Sequence, residues 1–323
     1  DNAIMKELKA VESLGCVSVI CSDKTGTLTQ NRMTVEEIYI NGACCKPEKL
    51  ELKESLHRYL LYGAILNNDS SISNGKGIGD PTEYALLEMF RTVSVNENSV
   101  LGQGGVHEDI IRQAMHRREE VPFDSDRKLM STKYNLHGEP TILTKGAVDV
   151  LLDRCTHVQY TDGIKEMTEE EKEKIRKQNQ SFSEDGLRVL AFAYKESDEE
   201  LSIHTEKDFT FIGLISMVDP PRPESVEAVA NAKRAGIRPV MITGDHKITA
   251  VAIAKQIGIF MDGDMAVTGA ELDDMSEDEL IEWLYNLFFK ERESSGHFCI
   301  EIKISVINAF DFNCYIVTFN RNL

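Results

Sequence analysis

CVSVICSDKTGTLT, residues 16–29, is a short β-branched apolar run that breaks into polar and glycine residues at Asp23. Such a run predicts a buried parallel strand that hands over to a functional loop at its carboxyl end. Asp23 then stands at the strand tip, where its carboxylate projects outward and Gly26 lets backbone N–H groups approach a phosphate. A carboxylate so placed can act as a nucleophile toward phosphorus. Taken alone, Asp-x-Thr-Gly is ordinary turn chemistry.

The same grammar returns later in the chain. Ile237–Ile242 reads as a strand broken by Thr243-Gly244-Asp245, followed by a helix with apolar positions Ile248, Val251, Ala252 and Ile259 and a stop at Gly258. Ahead of it, Phe209–Val218 reads as a strand, 219–223 (DPPRP) as a stiff turn, and Ser225–Arg234 as a helix ending at Gly236. Strand, helix, strand, helix predicts a right-handed parallel α/β unit. The loops at Asp23, Asp219 and Thr243 then lie beyond strand ends, where open parallel sheets collect ligands.

Between these stretches lies a mixed region with a helical segment at Pro81–Arg91 and strands near Leu129–Tyr134, Thr141–Thr144 and Arg188–Tyr194. It predicts an inserted α+β domain. The charged run Glu169–Lys177 reads as a solvated helix face without an apolar stripe. From about Asn286 the chain turns rich in Phe, Ile, Asn and Val, with strand-like segments ISVINAF (304–310) and CYIVTF (314–319) that break the α/β rhythm.

Composition narrows the field. The 323 residues suffice for two domains and a sizeable core. A net charge of −18 repels phosphate polyanions and anionic lipid surfaces, so no nucleic-acid partner is expected. No window approaches the roughly 18–20 apolar residues of a membrane helix. Seven scattered cysteines without metal spacing read as reduced thiols of a cytosolic compartment. The chain begins Asp-Asn-Ala without an initiator Met or a secretory pattern, and is expected to be cut from something longer.

The nine residues 21–29 (CSDKTGTLT) closely resemble the phosphorylation signature of the P-type cation-transporting ATPases, and the resemblance extends through 30–35 (QNRMTV), 219–224 (DPPRPE), 241–246 (MITGDH) and 267–272 (VTGAEL). Within that family the likeness is to the calcium-pump branch. The resemblance implies an α/β fold, with a haloacid-dehalogenase-like parallel-sheet phosphorylation domain split by an inserted α+β nucleotide-binding domain. On this reading residues 1–40 and 208–285 form the two parts of the phosphorylation domain, the second incomplete. Residues 41–207 form the nucleotide-binding insert, and residues 286–323 an atypical tail, read as a frame-shifted or mis-spliced product.

The resemblance also implies site residues and cofactors. Asp23 would take the γ-phosphate of ATP, with Mg²⁺ held by the Asp23 carboxylate and the Thr25 carbonyl. Thr243 and Gly244 would hold phosphate oxygens with Asp245 beside them, and Lys24 and Thr25 would join them in binding the cofactor. In the insert, Glu83 of 79–83 (GDPTE), Phe123 and Lys128 of 123–128 (FDSDRK), and Lys145 and Gly146 of 145–147 (KGA) would line the adenine side, and Arg188 of 186–189 (GLRV) would bridge phosphates. Ser125 departs from the calcium pumps, which often carry an arginine there, and weaker nucleotide affinity is expected. Thr25 stands where related phosphatases place a second Asp, so a long-lived acyl phosphate is expected.

The Gly-Asp-Gly-x-Asn-Asp hinge, the actuator domain and the membrane helices of the family do not occur in this sequence. Transport by this chain alone is therefore excluded, and its expected place is the cytoplasmic face of a membrane as part of an intact pump, whose cation would be Ca²⁺. Two other functions stay open: a nucleotide-binding module without catalysis, and a soluble phosphohydrolase of the haloacid-dehalogenase type.

Overall fold

The computed structural model describes residues 15, 17–73, 75–99, 107–245, 247–276, 278–280 and 315–317. The chain divides into two compact units. One holds the described residues up to Asn31 and from Asp219 onward; the other is Arg32–Val218. The first strand, β1 (Val19–Asp23), belongs to the former.

The Arg32–Val218 unit starts with β2 (Thr34–Ile40), β3 (Ala43–Cys45), α1 (Ser55–Leu66), β4 (Ser71–Ser73), β5 (Lys76–Ile78), α2 (Pro81–Ser99) and α3 (Glu108–Ala114). It continues with β6 (Glu119–Asp124), β7 (Leu129–Leu136), β8 (Glu139–Gly146), α4 (Val148–Leu152), β9 (Cys155–Tyr160) and β10 (Gly163–Glu166). It ends with α5 (Glu169–Glu184), β11 (Arg188–Glu196) and β12 (Phe209–Val218). Nine strands form one largely antiparallel sheet in the order β10-β9-β12-β11-β8-β7-β6, with β2 on β12 and β3 on β2; β4 and β5 make a separate hairpin.

Alternation along the strands sends side chains to two cores. On β11, Phe192 and Tyr194 join the core under α1 and α2, while Ala191 and Ala193 join the one under α4 and α5. Helix α1 supplies Leu56, Leu60 and Ala64, and α2 supplies Leu86, Phe90 and Val93, each at helical spacing. The sheet is thus covered by helices on both faces.

Two expectations change here. Strand β12 does not open a parallel unit with the strand that follows it; it lies inside the nine-stranded sheet, antiparallel to β11 and β2. Its apolar residues are buried from both sides, as a central strand between two helical layers requires. Helix α5 is not solvated all round, because Ile175 and Phe182, seven residues apart, anchor it to the second core.

In the other unit, α6 (Pro223–Arg234), β13 (Arg238–Thr243), α7 (Lys247–Ile257), β14 (Ala266–Val267), α8 (Gly269–Asp273) and β15 (Tyr315–Val317) follow. Strands β1 and β13 are parallel, β15 pairs antiparallel with β13 and β14, and the sheet order is β1-β13-β15-β14. Helix α6 begins on Pro223 and closes as Ile237 N–H donates to Ala232 C=O at 2.9 Å, with Gly236 at φ 73°. Thr268 and Glu271 form a reciprocal cap at the start of α8. Strand β1 is more open than its composition predicts: Ile20 is 44% exposed, and β13 is its one partner among the described residues. Of the tail segments, 304–310 lies outside the described residues, and only 315–317 of the second is described.

Cys21, Cys44, Cys45 and Cys155 are free thiols. Among the described residues no helix is long and apolar enough to cross a membrane.

Candidate functional site

In the unit carrying β1, the parallel register Asp23↔Ile242 brings the Asp23 and Thr243 loops out at the same strand ends. Asp23 is the last residue of β1, and its Oδ1 accepts from the Thr25 N–H at 3.3 Å. The chain then turns through Gly26 at φ 74°, a left-handed conformation that favours glycine. The Lys24 side chain folds inward, 6% exposed, and its ammonium pairs with the Asp245 carboxylate. Thr243 is buried and its Oγ1 accepts from the Asp245 N–H at 3.2 Å. A Cβ added at Gly244 would meet nothing within 4 Å, so that backbone stands open. His246 of the sequence motif lies outside the described residues.

The third loop clasps the first. Thr29 Oγ1 donates to Asp219 Oδ2 at 2.6 Å, and Gln30 N–H donates to Pro220 C=O at 3.0 Å. Arg222 spans the turn, donating from Nε to Thr29 C=O at 2.8 Å and from Nη2 to Gly26 C=O at 3.1 Å. Sequence reasoning named the Asp219 turn but gave Arg222 no role. Asp23, Lys24, Thr25, Thr243, Gly244 and Asp245 therefore lie at one end of this sheet, and Thr29 and Arg222 tie the Asp23 loop to the Asp219 turn.

The Arg32–Val218 unit carries the other candidates. Glu83, in the first turn of α2, accepts on Oε2 from the Asp69 N–H at 2.9 Å and the Ser70 N–H at 3.1 Å, and on Oε1 from Lys145 Nζ at 2.5 Å. Lys145, on β8 and 5% exposed, also donates to Asn67 C=O. Burial pushes its ammonium below the ordinary lysine range, and the Glu83 carboxylate opposes that shift. Glu83 and Lys145 are thus direct partners.

The β7–β8 register Leu129↔Gly146 sets Gly146 against the Lys128 turn. A Cβ at Gly146 would lie 3.0 Å from Leu129 Cα and collide with the Lys128 carbonyl oxygen, so the close approach requires glycine. Lys128 has φ 57°, donates its N–H to Asp124 C=O at 2.6 Å, and accepts from the Ala147 N–H at 3.0 Å. Phe123 is 63% exposed at the end of β6. Arg188, at the start of β11, donates to Thr82 Oγ1 at 3.1 Å, next to Glu83. Ser125 lies in the turn whose Asp124 carboxylate accepts from the Asp126 and Arg127 N–H groups.

Supporting residues went unread in the sequence. Residues 67–70 (NNDS) carry the amides that hold Glu83, and two arginines pin that segment. Arg112 donates to the carbonyls of Ile65, Asn68 and Ser70 at 2.8–3.1 Å, and Arg117 to those of Leu66 and Asn68 at 3.1 Å. Both meet the carboxyl end of α1, where the helix dipole favours cations. The signal was available, since a run of Asn, Asn, Asp and Ser after an apolar helix marks a structured turn.

Comparison with known proteins supplies the family. The family model described as P-type ATPase, cytoplasmic domain N, matches residues 56–224, just over half of the chain. The chain is 45% identical over 313 residues to calcium-transporting ATPase 1 of Lactococcus lactis, covering 96% of this chain and 34% of that protein. It is 42% identical over 310 residues to calcium-transporting ATPase 1 of Bacillus cereus, covering 95% and 33%. It is 35% identical over 335 residues to calcium-transporting ATPase 1 of Saccharomyces cerevisiae, covering 95% and 33%. The chain spans about a third of the length of these relatives. Coverage of 96% carries the Lactococcus match past Tyr285, into the segment that sequence motifs left without a counterpart. On the family match over residues 56–224, the chain belongs to the P-type ATPases.

Proposed function

We propose that this chain is the nucleotide-binding and phosphoryl-accepting region of a calcium-transporting ATPase, binding MgATP in the Arg32–Val218 unit and taking the γ-phosphate on Asp23. The observation that carries the reading is Asp23 itself. Its carboxylate ends a strand, has one backbone contact among the described residues, at 3.3 Å, and lies at the same strand ends as the open backbone of Gly244 and the Lys24–Asp245 pair. The arrangement suits a haloacid-dehalogenase-like site.

In the proposed reaction an Asp23 carboxylate oxygen bonds to the γ-phosphorus as the bond from that phosphorus to the β–γ bridging oxygen breaks, and ADP leaves. Thr243 and the Gly244 backbone hold phosphate oxygens. Lys24, fixed by Asp245, contributes positive potential from a buried position, where it is stronger than in water. Thr25 supplies no carboxylate base for water, which favours a persistent acyl phosphate.

Hard oxygen donors suit Mg²⁺, and the largely uncommitted Asp23 carboxylate with the Thr25 carbonyl fits an ion that completes its shell from phosphates and water. When bound, Mg²⁺ would neutralise charge developing on the transferring group. Phe123 would stack on the adenine, with Glu83, Lys128, Lys145 and Gly146 around the base and Arg188 toward the phosphates. Ca²⁺ as the cargo follows the names of the relatives.

Calorimetric titration of the chain with MgATP tests the binding half of the reading. Saturable binding weakened about fivefold or more by Phe123→Ala is expected, since base stacking on an aromatic contributes about 1–3 kcal/mol. Absence of binding would overturn it.

A further inference from the structure

Glu206, in the loop ahead of β12, is a buried carboxylate that the proposed chemistry leaves unused, 2% exposed. Three groups, two from the β6–β7 turn and strand β7 and one from the turn after α4, converge on it. Arg127 Nη1 reaches Oε1 at 2.5 Å, Ser131 Oγ donates to the same oxygen at 2.6 Å, and Arg154 Nη1 lies 3.3 Å from Oε2 and 3.2 Å from the Glu206 carbonyl. A buried charge paired this fully is costly to disturb and holds its partners in one geometry.

What Arg127 does with its other nitrogen gives the cluster a direction: Nη2 donates to the carbonyl of Pro122, the residue before Phe123. Strand β6 is irregular there. Val121 pairs with Ser131 and Asp124 with Leu129, so one extra residue is accommodated around Pro122 and Phe123. A bulge re-aims a side chain, and Pro122 has no N–H with which to fix it through the ladder. The guanidinium of Arg127, seated on Glu206, closes the bulge from the carbonyl side.

We propose that Glu206 is a positioning residue for nucleotide binding, acting through Arg127 to hold the β6 bulge so that Phe123 presents its ring to the base. The proposal rests on the nucleotide-binding reading of this unit. The same link steadies the turn that carries Lys128, whose N–H bonds to Asp124 C=O.

The test uses the whole chain with Glu206→Gln and Arg127→Met. The second variant leaves Glu206 paired to Arg154 and Ser131, so the fold survives if Gln at 206 is not tolerated. Without nucleotide, amide exchange of residues 126–128 should rise about tenfold in both variants while the β7–β8 amides stay protected. Titrations with ATP and with inorganic tripolyphosphate should show a five- to tenfold loss for ATP alone, and no further loss when either change is added to Phe123→Ala. Unchanged exchange at 126–128, an equal loss for tripolyphosphate, or full additivity with Phe123→Ala would overturn the proposal. If the wild-type chain binds no ATP, the nucleotide reading itself falls and takes this proposal with it. Binding by the wild type that both variants retain removes only the role of Glu206.

Discussion

Replacing Lys145 with Met keeps the length of the side chain and deletes its charge at a largely buried carboxylate. The ammonium holds Glu83 Oε1 at 2.5 Å and the Asn67 carbonyl, in surroundings where both side chains are largely buried. Each charge-assisted hydrogen bond is worth about 1.5–3 kcal/mol, and breaking a buried pair costs about 3–5 kcal/mol. Glu83 keeps its amide donors from Asp69 and Ser70 on the other oxygen, which places the loss near the lower end, about 3 kcal/mol. For a unit of this size that corresponds to a fall in Tm of roughly 6–12 °C. Urea denaturation followed by circular dichroism measures it. Adding Glu83→Gln should recover about 1–2 kcal/mol, because the uncompensated charge goes with it. A loss below about 1 kcal/mol, or strict additivity of the two changes, would refute the claim that the two residues are a buried pair.

Two further perturbations follow. Glu108 is fully buried on α3 and bonded to Arg91 at 2.5 and 2.7 Å; burial alone would raise its carboxyl, but the guanidinium outweighs it and holds the group below its ordinary 4.5. A depressed carboxyl contributes stability that is complete above the unfolded pKa and is lost as pH falls through the folded one, so Glu108→Gln should flatten the acid limb of stability below about pH 4.5, read as urea midpoints across pH. Arg222→Ala removes two donors to the Thr29 and Gly26 carbonyls and should cost about 1–2 kcal/mol locally, seen as faster limited proteolysis within residues 23–30; unchanged cleavage would show that Arg222 does not brace the loop.

Much of the architecture was legible because the decisive elements carry strong local signals. The apolar run before Asp23, the glycine stops at Gly236 and Gly258, and the Pro223 start of α6 announce themselves through backbone chemistry that depends on few neighbours. The placement of β12 did not, since a buried apolar strand reads the same in a parallel or an antiparallel sheet, and only its partners decide: β2 and β11 antiparallel, β9 parallel. The docking of α5 was missed for a related reason: two apolar residues among many charges suffice to seat a helix.

In the candidate sites, residues within short motifs were visible and those supporting them from a distance were not. Lys145 and Glu83 lie 62 positions apart and meet only through the fold, as do Arg127 and Glu206, 79 apart. The 67–70 segment and its arginines needed the carboxyl end of α1 to become meaningful. Their contribution is to fix backbone carbonyls and amides, which leaves no pattern in sequence spacing.

The central claim is that Asp23 accepts phosphate, and trapping the product tests it most directly. The chain, incubated with Mg²⁺ and γ-labelled ATP and quenched in acid, should carry acid-stable label that hydroxylamine releases and that Asp23→Asn abolishes. Measurable ATP binding with no label on the wild-type chain, or label that persists in Asp23→Asn, would contradict the account.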